Sequence, residues 1–114
     1  MQKRIDALVV SPDPLFGSHR VQIAVLAARH AIPAIYSDRQ YAAAGGLMSY
    51  GTSLAEQYRQ VGIYAGRILR GMKPADLPVV QSSKFELIIN AQTATMLGLT
   101  VPAQLLARAD EVIE

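Results

Sequence analysis

The sequence of 114 residues contains no cysteine and only two histidines, His19 and His30. The lack of cysteine excludes disulfides, thiolate zinc sites, iron–sulfur clusters and thiol nucleophiles. The two histidines are too far apart for the i, i+4 spacing of helical metal ligands, so we interpret them as helix surface residues. We therefore predict neither a metal site nor a cofactor.

The chain also lacks a concentration of charge of one sign. Eleven Lys and Arg stand against nine Asp and Glu, which gives a net charge of +2, and the charges are scattered. Because nucleic-acid binding requires a clustered basic face, we expect no nucleic-acid partner. No apolar run reaches the roughly 18 residues of a membrane span. The first residues, Met1 to Asp6, lack the apolar segment of a secretory signal, so we expect no signal peptide in the chain as given.

Catalytic motifs are missing as well. The sequence has no Gly-x-Ser-x-Gly nucleophile elbow and no glycine-rich phosphate loop before a lysine. Gly45-Gly46 lacks the three-glycine spacing of a dinucleotide fingerprint and is typical of a turn. We therefore predict that the protein is not an enzyme.

The composition is that of a folded chain, since 51% of the residues are hydrophobic and 18% are charged. A length of 114 residues suits one domain of common size, so we predict a single α/β domain over residues 1–114.

The first half of the chain alternates strands and helices. The apolar, β-branched run Ile5–Val10 predicts a buried strand that ends at a Pro-rich loop. Helical spacing of apolar residues predicts a helix from about Phe16 to His30, and Ala34–Tyr36 follows Pro33 as a second strand. Strand, helix and strand in this order predict a right-handed βαβ unit. A short third strand is predicted at Leu47–Tyr50.

The clearest helix follows Ser53. The spacing of Ser53 and Glu56 is that of a capping box, in which each side chain accepts from the other residue's backbone N–H. Arg67 in the last turn, Gly71 at the position after the helix, and Pro74 predict where the helix ends.

The rest of the chain predicts two extended pieces and two helices. Val79–Gln81 and Phe85–Ile89 are extended, and the second is apolar at most positions, as in a strand covered on both faces. Ala91–Leu97 is a short helix capped by Asn90, and a last helical segment runs from Pro102 to Ala109. Together, these elements predict an α/β fold of three layers, in which helices flank a mainly parallel sheet, similar to half of a Rossmann fold.

Polar and aromatic residues stand where the first three predicted strands end. In open parallel sheets, ligands bind outside the carboxyl ends of the strands. Carboxylates could hold an ammonium group and aromatic rings an apolar side chain. Turn formation explains the serines and aspartates equally well, and half-buried packing explains the tyrosines. The predicted ligand-binding residues are Ser11, Asp13, Tyr36, Asp38, Ser49, Tyr50 and Gly51.

Several segments of the chain occur in the same order in one family: 6–10, 31–36, 45–51, 66–71, 74–79, 85–90 and 97–113. On these segments the chain resembles the ABC transporter substrate-binding proteins of the tryptophan/tyrosine-uptake type, which have a type I periplasmic-binding fold. The resemblance implies binding of a small organic solute, such as an aromatic or branched amino acid, a permease as partner of the full-length protein, and an extracytoplasmic location.

Members of that family are longer and close two lobes around the ligand. This chain resembles their C-terminal portion, which holds pieces of both lobes, so much of the first lobe has no counterpart here. The prediction is a partial solute-binding component of an ABC uptake system. The alternative is a truncated, self-associating α/β module, a homo-oligomer without ligand binding of its own.

Overall fold

The computed structural model describes residues 5–79 and 84–114, and it confirms an α/β architecture with a mostly parallel sheet flanked by helices. Five strands and six α-helices are placed in the described part of the chain, besides one 3₁₀ turn at Pro74–Asp76. In chain order they are β1 Leu8–Val9, α1 Pro14–Ser18, α2 Arg20–Arg29, β2 Ala34–Tyr36, α3 Arg39–Ala43, β3 Met48–Thr52, α4 Leu54–Leu69, β4 Phe85–Asn90, α5 Ala91–Met96, α6 Ala103–Arg108 and β5 Glu111–Ile113.

The five strands form one sheet in the order β1-β2-β3-β4-β5. The pairs β1–β2, β2–β3 and β4–β5 are parallel. Leu8 pairs with Ala34, and Tyr36 pairs with Ser49. The carboxyl ends of β1, β2 and β3 therefore meet at one edge of the sheet, as the sequence predicts.

The described chain divides into two compact units. The first comprises residues up to Gly51 and the segment Glu86–Glu114, and it holds most of the sheet with α1, α2, α3, α5 and α6. The second comprises Thr52–Phe85 and holds α4. The organisation of residues 1–114 as one domain stays a prediction.

Side chains of β1, β2 and β3 alternate between two faces of the sheet. One face, called here the covered face, carries Leu8, Ala34, Tyr36 and Ser49, and α2 and α3 pack on it through Ala27 and Tyr41. The opposite face, called here the exposed face, carries Val9, Ile35, Met48 and Tyr50; Val9 is 78% exposed and Tyr50 55%. The core of the first unit thus lies on the covered face.

The helix expected from about Phe16 to His30 is two helices. Asp13 and Pro14 begin the short α1, and the chain leaves helical geometry at His19, whose φ and ψ are −112° and 22°. An Asp at the N-cap followed by Pro is a strong start signal, and it begins the first turn earlier than the apolar periodicity indicates.

The helix predicted after Ser53 is confirmed as α4, but its capping box is only half formed. The Ser53 hydroxyl accepts from the N–H of Glu56 at 3.3 Å. The N–H of Ser53 donates to the carbonyl of Lys84 instead, and the Glu56 carboxylate pairs with Arg59 at 3.1 Å. The reciprocal bond expected from the sequence is therefore replaced by two other contacts.

The C-terminus of α4 ends as predicted. Gly71 has a φ of +105°, a left-handed conformation that favours glycine. The N–H of Met72 reaches the carbonyl of Arg67, and the N–H of Gly71 reaches that of Ile68, at 3.0 Å each. These two bonds are those of a Schellman motif.

The third strand, β4 and α5 are confirmed close to their predicted bounds, and α6 starts one residue after Pro102. Of the extended piece predicted at Val79–Gln81, Val79 lies outside any strand, and the other two residues lie outside the described residues.

The strand β5 has no counterpart in the sequence predictions. It begins where Asp110 exchanges two hydrogen bonds with Leu87: its N–H donates to the Leu87 carbonyl and its carboxylate accepts from the Leu87 N–H, both at 2.8 Å. Glu111 of β5 forms two 2.7 Å bonds with the guanidinium of Arg39 in α3. Contacts distant in sequence thus define this strand.

Candidate functional site

The candidate site lies at the edge where β1, β2 and β3 end. Ser11 and Asp13 follow β1, and Asp38 follows β2 by two residues. Ser49, Tyr50 and Gly51 lie within β3 rather than after it, because β3 continues to Thr52. All seven predicted site residues belong to the first unit.

The two aspartates have the same local role. The Asp13 carboxylate accepts from the N–H of Leu15 at 2.8 Å, and that of Asp38 accepts from the N–H of Gln40 at 2.9 Å. Each therefore caps a short helix, α1 or α3, through its Oδ1 atom. The turn-forming role, which was one of the two interpretations of these aspartates in the sequence, is observed in the structure. The second oxygen of each carboxylate, Oδ2, takes no part in the cap.

Tyr36 belongs to the core of the covered face. It is 2% exposed, and its ring stacks on that of Tyr41 with centroids 4.7 Å apart and planes 10° apart. Burial, followed by the neighbouring Tyr41, raises the pKa of the Tyr36 phenol above its ordinary value. The Tyr36 phenol therefore stays neutral at physiological pH, and the stacked pair of rings contributes to the packing of the core.

Two buried hydroxyls face the same side of the sheet. Tyr36 and Ser49 pair across β2 and β3, so their side chains share the covered face. The hydroxyl of each is buried and has no hydrogen-bond partner among residues 5–79 and 84–114. A buried polar group without a partner is costly, so each of these hydroxyls lowers the stability of the fold relative to a hydrogen-bonded one.

Gly51 brings the ends of β2 and β3 together. A Cβ atom at this position would overlap the carbonyl oxygen of Ser37. Any larger residue would push the two strand ends apart, so the glycine fixes the spacing between the Ser37 backbone and β3.

The remaining predicted residues are accessible. Ser11 and Asp13 are exposed, Tyr50 is 55% exposed, and Asp38 and Gly51 are partly exposed. The structure thus divides the predicted site: Tyr36 and Ser49 are buried on the covered face, and the other residues are open to an incoming molecule.

Two residues that the sequence analysis did not single out also lie near the site. Tyr41 of α3 is 1% exposed. Burial, and then the carboxylates of Asp38 and Asp13, raise the pKa of its phenol above the ordinary value, and the charge of Arg20 partly offsets this rise. Arg20 of α2 thus lies within electrostatic reach of the same phenol. Both residues lie in helices rather than at strand ends, so the strand-end pattern of the sequence does not indicate them.

No group of three or more His, Asp or Glu side chains suited to a metal occurs among the described residues. His19 and His30 flank α2 as its terminal residues. In the described ranges, no helix is long and apolar enough to cross a bilayer.

Comparison with protein families decides what the chain is related to. The profile described as ABC transporter substrate binding protein matches residues 1–113. The chain belongs to this family. Among curated proteins, none matches the chain significantly.

Solved structures agree with the family. The chain is similar to an ABC domain from Streptococcus pneumonia in complex with L-Trp, with a TM-score of 0.87 and 29% identity over 96% of this chain and 37% of that one. It is also similar to a conserved domain protein from Vibrio cholerae, with a TM-score of 0.86 and 28% identity over 94% of this chain and 36% of that one.

A third similar structure is a substrate binding protein with adhesive properties from Clostridium difficile, ligand-free and open, with a TM-score of 0.65 and 27% identity over 96% of this chain. The chain spans 36% of that protein. This member of the substrate-binding family therefore covers little more than a third of the length of these relatives.

Proposed function

We propose that this chain binds a small organic solute, such as an aromatic or branched amino acid, without changing it chemically, as part of an ABC uptake system. Membership of the substrate-binding family carries the proposal. The relative solved with L-Trp supports the solute class. By the same argument the protein works on the extracytoplasmic side of a membrane and delivers its solute to a permease.

The proposed binding edge combines the groups that an amino acid needs. Asp13 and Asp38 offer carboxylate oxygens to an ammonium group, and Tyr50 offers an accessible ring to an apolar side chain. Ser11 and the backbone beside Gly51 supply further polar contacts. Because the site has only one side in this chain, it covers less of a ligand than an enclosed pocket does. We therefore expect weak binding.

The absence of tryptophan from the chain makes the test direct. L-Trp excited at a wavelength that tyrosine does not absorb reports only on the ligand, so its anisotropy rises when it binds. L-Leu and L-Tyr are measured by isothermal titration. We expect weak, saturable binding by at least one of the three, lost in Asp13→Ala and in Tyr50→Ala.

The control variant is Tyr58→Ala, which removes a 73% exposed tyrosine of α4 in the other unit. It should bind as the unaltered chain does. Binding that survives in both site variants would remove Asp13 and Tyr50 from the site, and no response to any of the three amino acids would overturn the proposal.

A second candidate function is self-association without ligand binding, and one observation favours it. Tyr58, Val61 and Ile68 recur at helical spacing on one face of α4, and they are 73%, 64% and 42% exposed. An apolar stripe of this kind favours contact with another protein surface. Light scattering decides: a strict monomer at high concentration contradicts this candidate, and a dimer that Val61→Glu dissociates supports it.

A further inference from the structure

The apolar side of α4 is its exposed side. No residue of this helix is buried. Gln60 and Ile63 are partly covered, and the Tyr64 hydroxyl donates to the carbonyl of Pro78 at 2.6 Å, so the segment after the helix reaches the side away from most of the apolar residues. A helix of a globular protein normally turns its apolar side inward. The reverse arrangement of α4 indicates a surface that another helix or sheet covers.

The spacing of the apolar residues indicates another helix. Five of them are separated by four, three, four and three positions, which is the alternation of a heptad repeat. A seam with this period of about 3.5 residues stays in contact with a second helix as the two supercoil. We call these residues the α4 seam: Leu54, Tyr58, Val61, Ala65 and Ile68.

The positions that flank the seam in the heptad carry no charge. They are held by Ala55, Gln57, Gly62, Tyr64 and Leu69. Charges at these positions set partner choice in helix pairs, and like charges there oppose self-pairing. Glu56, Arg59 and Arg67 lie at other heptad positions. The seam can therefore pair with a copy of itself without repulsion.

Side-chain size favours an antiparallel pair. Two fully overlapping antiparallel copies of α4, Leu54–Leu69, have their twofold axis between Val61 and Gly62. A Cβ atom added at Gly62 would meet no described atom within 4 Å, so the space there is open. Tyr58 then lies opposite the partner's Ala65, a large residue against a small one. A parallel pair would instead crowd two copies of Tyr58 at one level and leave a gap between two copies of Ala65 at another.

The charges at the ends of α4 favour the same orientation. Arg67 lies in the last turn and Arg70 is the C-cap, whereas Glu56 lies in the first turn. A parallel pair would bring the two basic ends together, and an antiparallel pair separates them by the length of the helix, roughly 24 Å. The helix dipoles also attract only in the antiparallel pair.

We propose that two copies of this chain pair through their α4 seams in antiparallel orientation, about a twofold axis at Val61 and Gly62. The proposal rests on the second candidate function, self-association, and assigns it to one helix and one orientation. The seam and Leu69, which is 88% exposed, present on the order of 600 Å² per chain, so the pair would bury about 1,200 Å², the lower end of specific interfaces. We therefore expect a dimer that dissociates on dilution.

Cysteine crosslinking of the full chain tests the axis, because the chain has no cysteine of its own. Val61→Cys places two thiols side by side, and a mild oxidant such as copper phenanthroline should convert it to covalent dimer. Tyr58→Cys should give little dimer by itself, since its two copies lie about 10 Å apart along the helix, and should crosslink when mixed with Ala65→Cys. Arg59→Cys, on the opposite side of α4, is the control for random collision.

Light scattering over a range of concentrations measures association without crosslinking. Val61→Glu places a charge at the axis in both copies and should raise the Kd of the dimer at least about tenfold. The matched control is Val21→Glu, at a 59% exposed valine of the other unit, and it should dimerise as the unaltered chain does. Circular dichroism melts verify that both variants fold.

The outcomes separate this proposal from self-association in general. A dimer that Val61→Glu leaves intact overturns the α4 pair and leaves self-association in place. Efficient crosslinking of Tyr58→Cys by itself means a parallel pair and overturns the proposed orientation. A chain that stays monomeric at high concentration, with its α4 seam free for a different protein, overturns self-association and the α4 pair with it.

Discussion

The two faces of β1, β2 and β3 have the same strands and opposite roles. On the covered face, Ala34, Tyr36 and Ser49 are 4%, 2% and 1% exposed beneath α2 and α3. On the exposed face, Val9 is 78% and Tyr50 55% exposed. Residues next to each other in sequence, such as Ser49 and Tyr50, therefore differ in what their substitution affects: Ser49 is buried in the core, whereas Tyr50 is 55% exposed.

The comparison also divides the candidate site. A site defined by strand ends contains residues from both faces, because the side chains of a strand alternate. Tyr36 and Ser49 act from within the core, and Tyr50 acts from the surface. Substitutions that separate folding from binding must therefore be chosen by face rather than by position along the strand.

The largest effect is expected from matched tyrosine truncations. Tyr36→Ala removes a buried, stacked ring and should lower the free energy of unfolding by about 3–5 kcal/mol, as for other large aromatic truncations. Tyr50→Ala removes an exposed ring at the same sheet edge and should cost less than about 1 kcal/mol. Urea unfolding followed by circular dichroism measures both. Similar losses would mean that the two faces do not differ as described.

A smaller loss of stability is expected from a substitution of Gly51, where the ends of β2 and β3 touch. Gly51→Ala places a Cβ on the Ser37 carbonyl, and the forced shift should destabilise the chain by about 1–3 kcal/mol. Gly66→Ala is the control, since an added Cβ there meets no described atom within 4 Å. Gly66 lies inside α4, so alanine should stabilise it by about 0.5–1 kcal/mol. A neutral Gly51→Ala would show that the strand ends are free to separate.

A pH-dependent effect should distinguish the buried phenols from an exposed one. The pKa values of Tyr36 and Tyr41 are raised in the folded protein, so their neutral forms are favoured there. Their contribution to stability is complete below the ordinary tyrosine pKa and is lost as the pH rises through the raised values. Thermal melts across the alkaline range should therefore show falling stability.

Tyr36→Phe should lessen that alkaline loss, because one of the two titrating groups is gone. At neutral pH it should keep or raise stability, because it removes a buried hydroxyl that has no partner among the described residues. Tyr58→Phe, which removes the hydroxyl of a 73% exposed tyrosine, is the matched control. Equal alkaline losses in the original chain and Tyr36→Phe would contradict the assignment.

Much of the fold could be predicted from local patterns. Pro33 and the apolar run after it give the bounds of β2, and Ser53 and Gly71 mark the ends of α4, because caps and turns depend on a few neighbouring residues. The strand β5 could not be predicted: it begins at the exchange of bonds between Asp110 and Leu87, a contact that no local pattern encodes.

The candidate site divides in the same way. Strand ends and their polar residues could be read from the sequence, and so the edge was predicted. Whether Tyr36 lies on the covered face follows from strand register, which local sequence does not give. Arg20 and Tyr41 were missed because the prediction considered residues at strand ends, whereas these two lie in α2 and α3.

The smallest effect is expected from the ion pair that joins α3 to β5, outside both faces. Arg39 and Glu111 form two 2.7 Å bonds, and their side chains are 49% and 41% exposed, so water and salt screen the pair. Arg39→Gln should lower stability less than Tyr36→Ala or Gly51→Ala does, and high salt should remove the difference.

The stability that this ion pair contributes depends on pH, because Glu111 must be ionised to pair with Arg39. The Arg39 guanidinium holds the pKa of Glu111 below its ordinary value, so the pair stabilises the fold above that ordinary value. This contribution is lost as the pH falls through the lowered value, where Glu111 takes up a proton. A double-mutant cycle with Arg39→Gln and Glu111→Gln, followed by melts from neutral to acid pH, should show a small coupling that vanishes in acid. A coupling that persists in acid would mean that packing, rather than charge, joins α3 to β5.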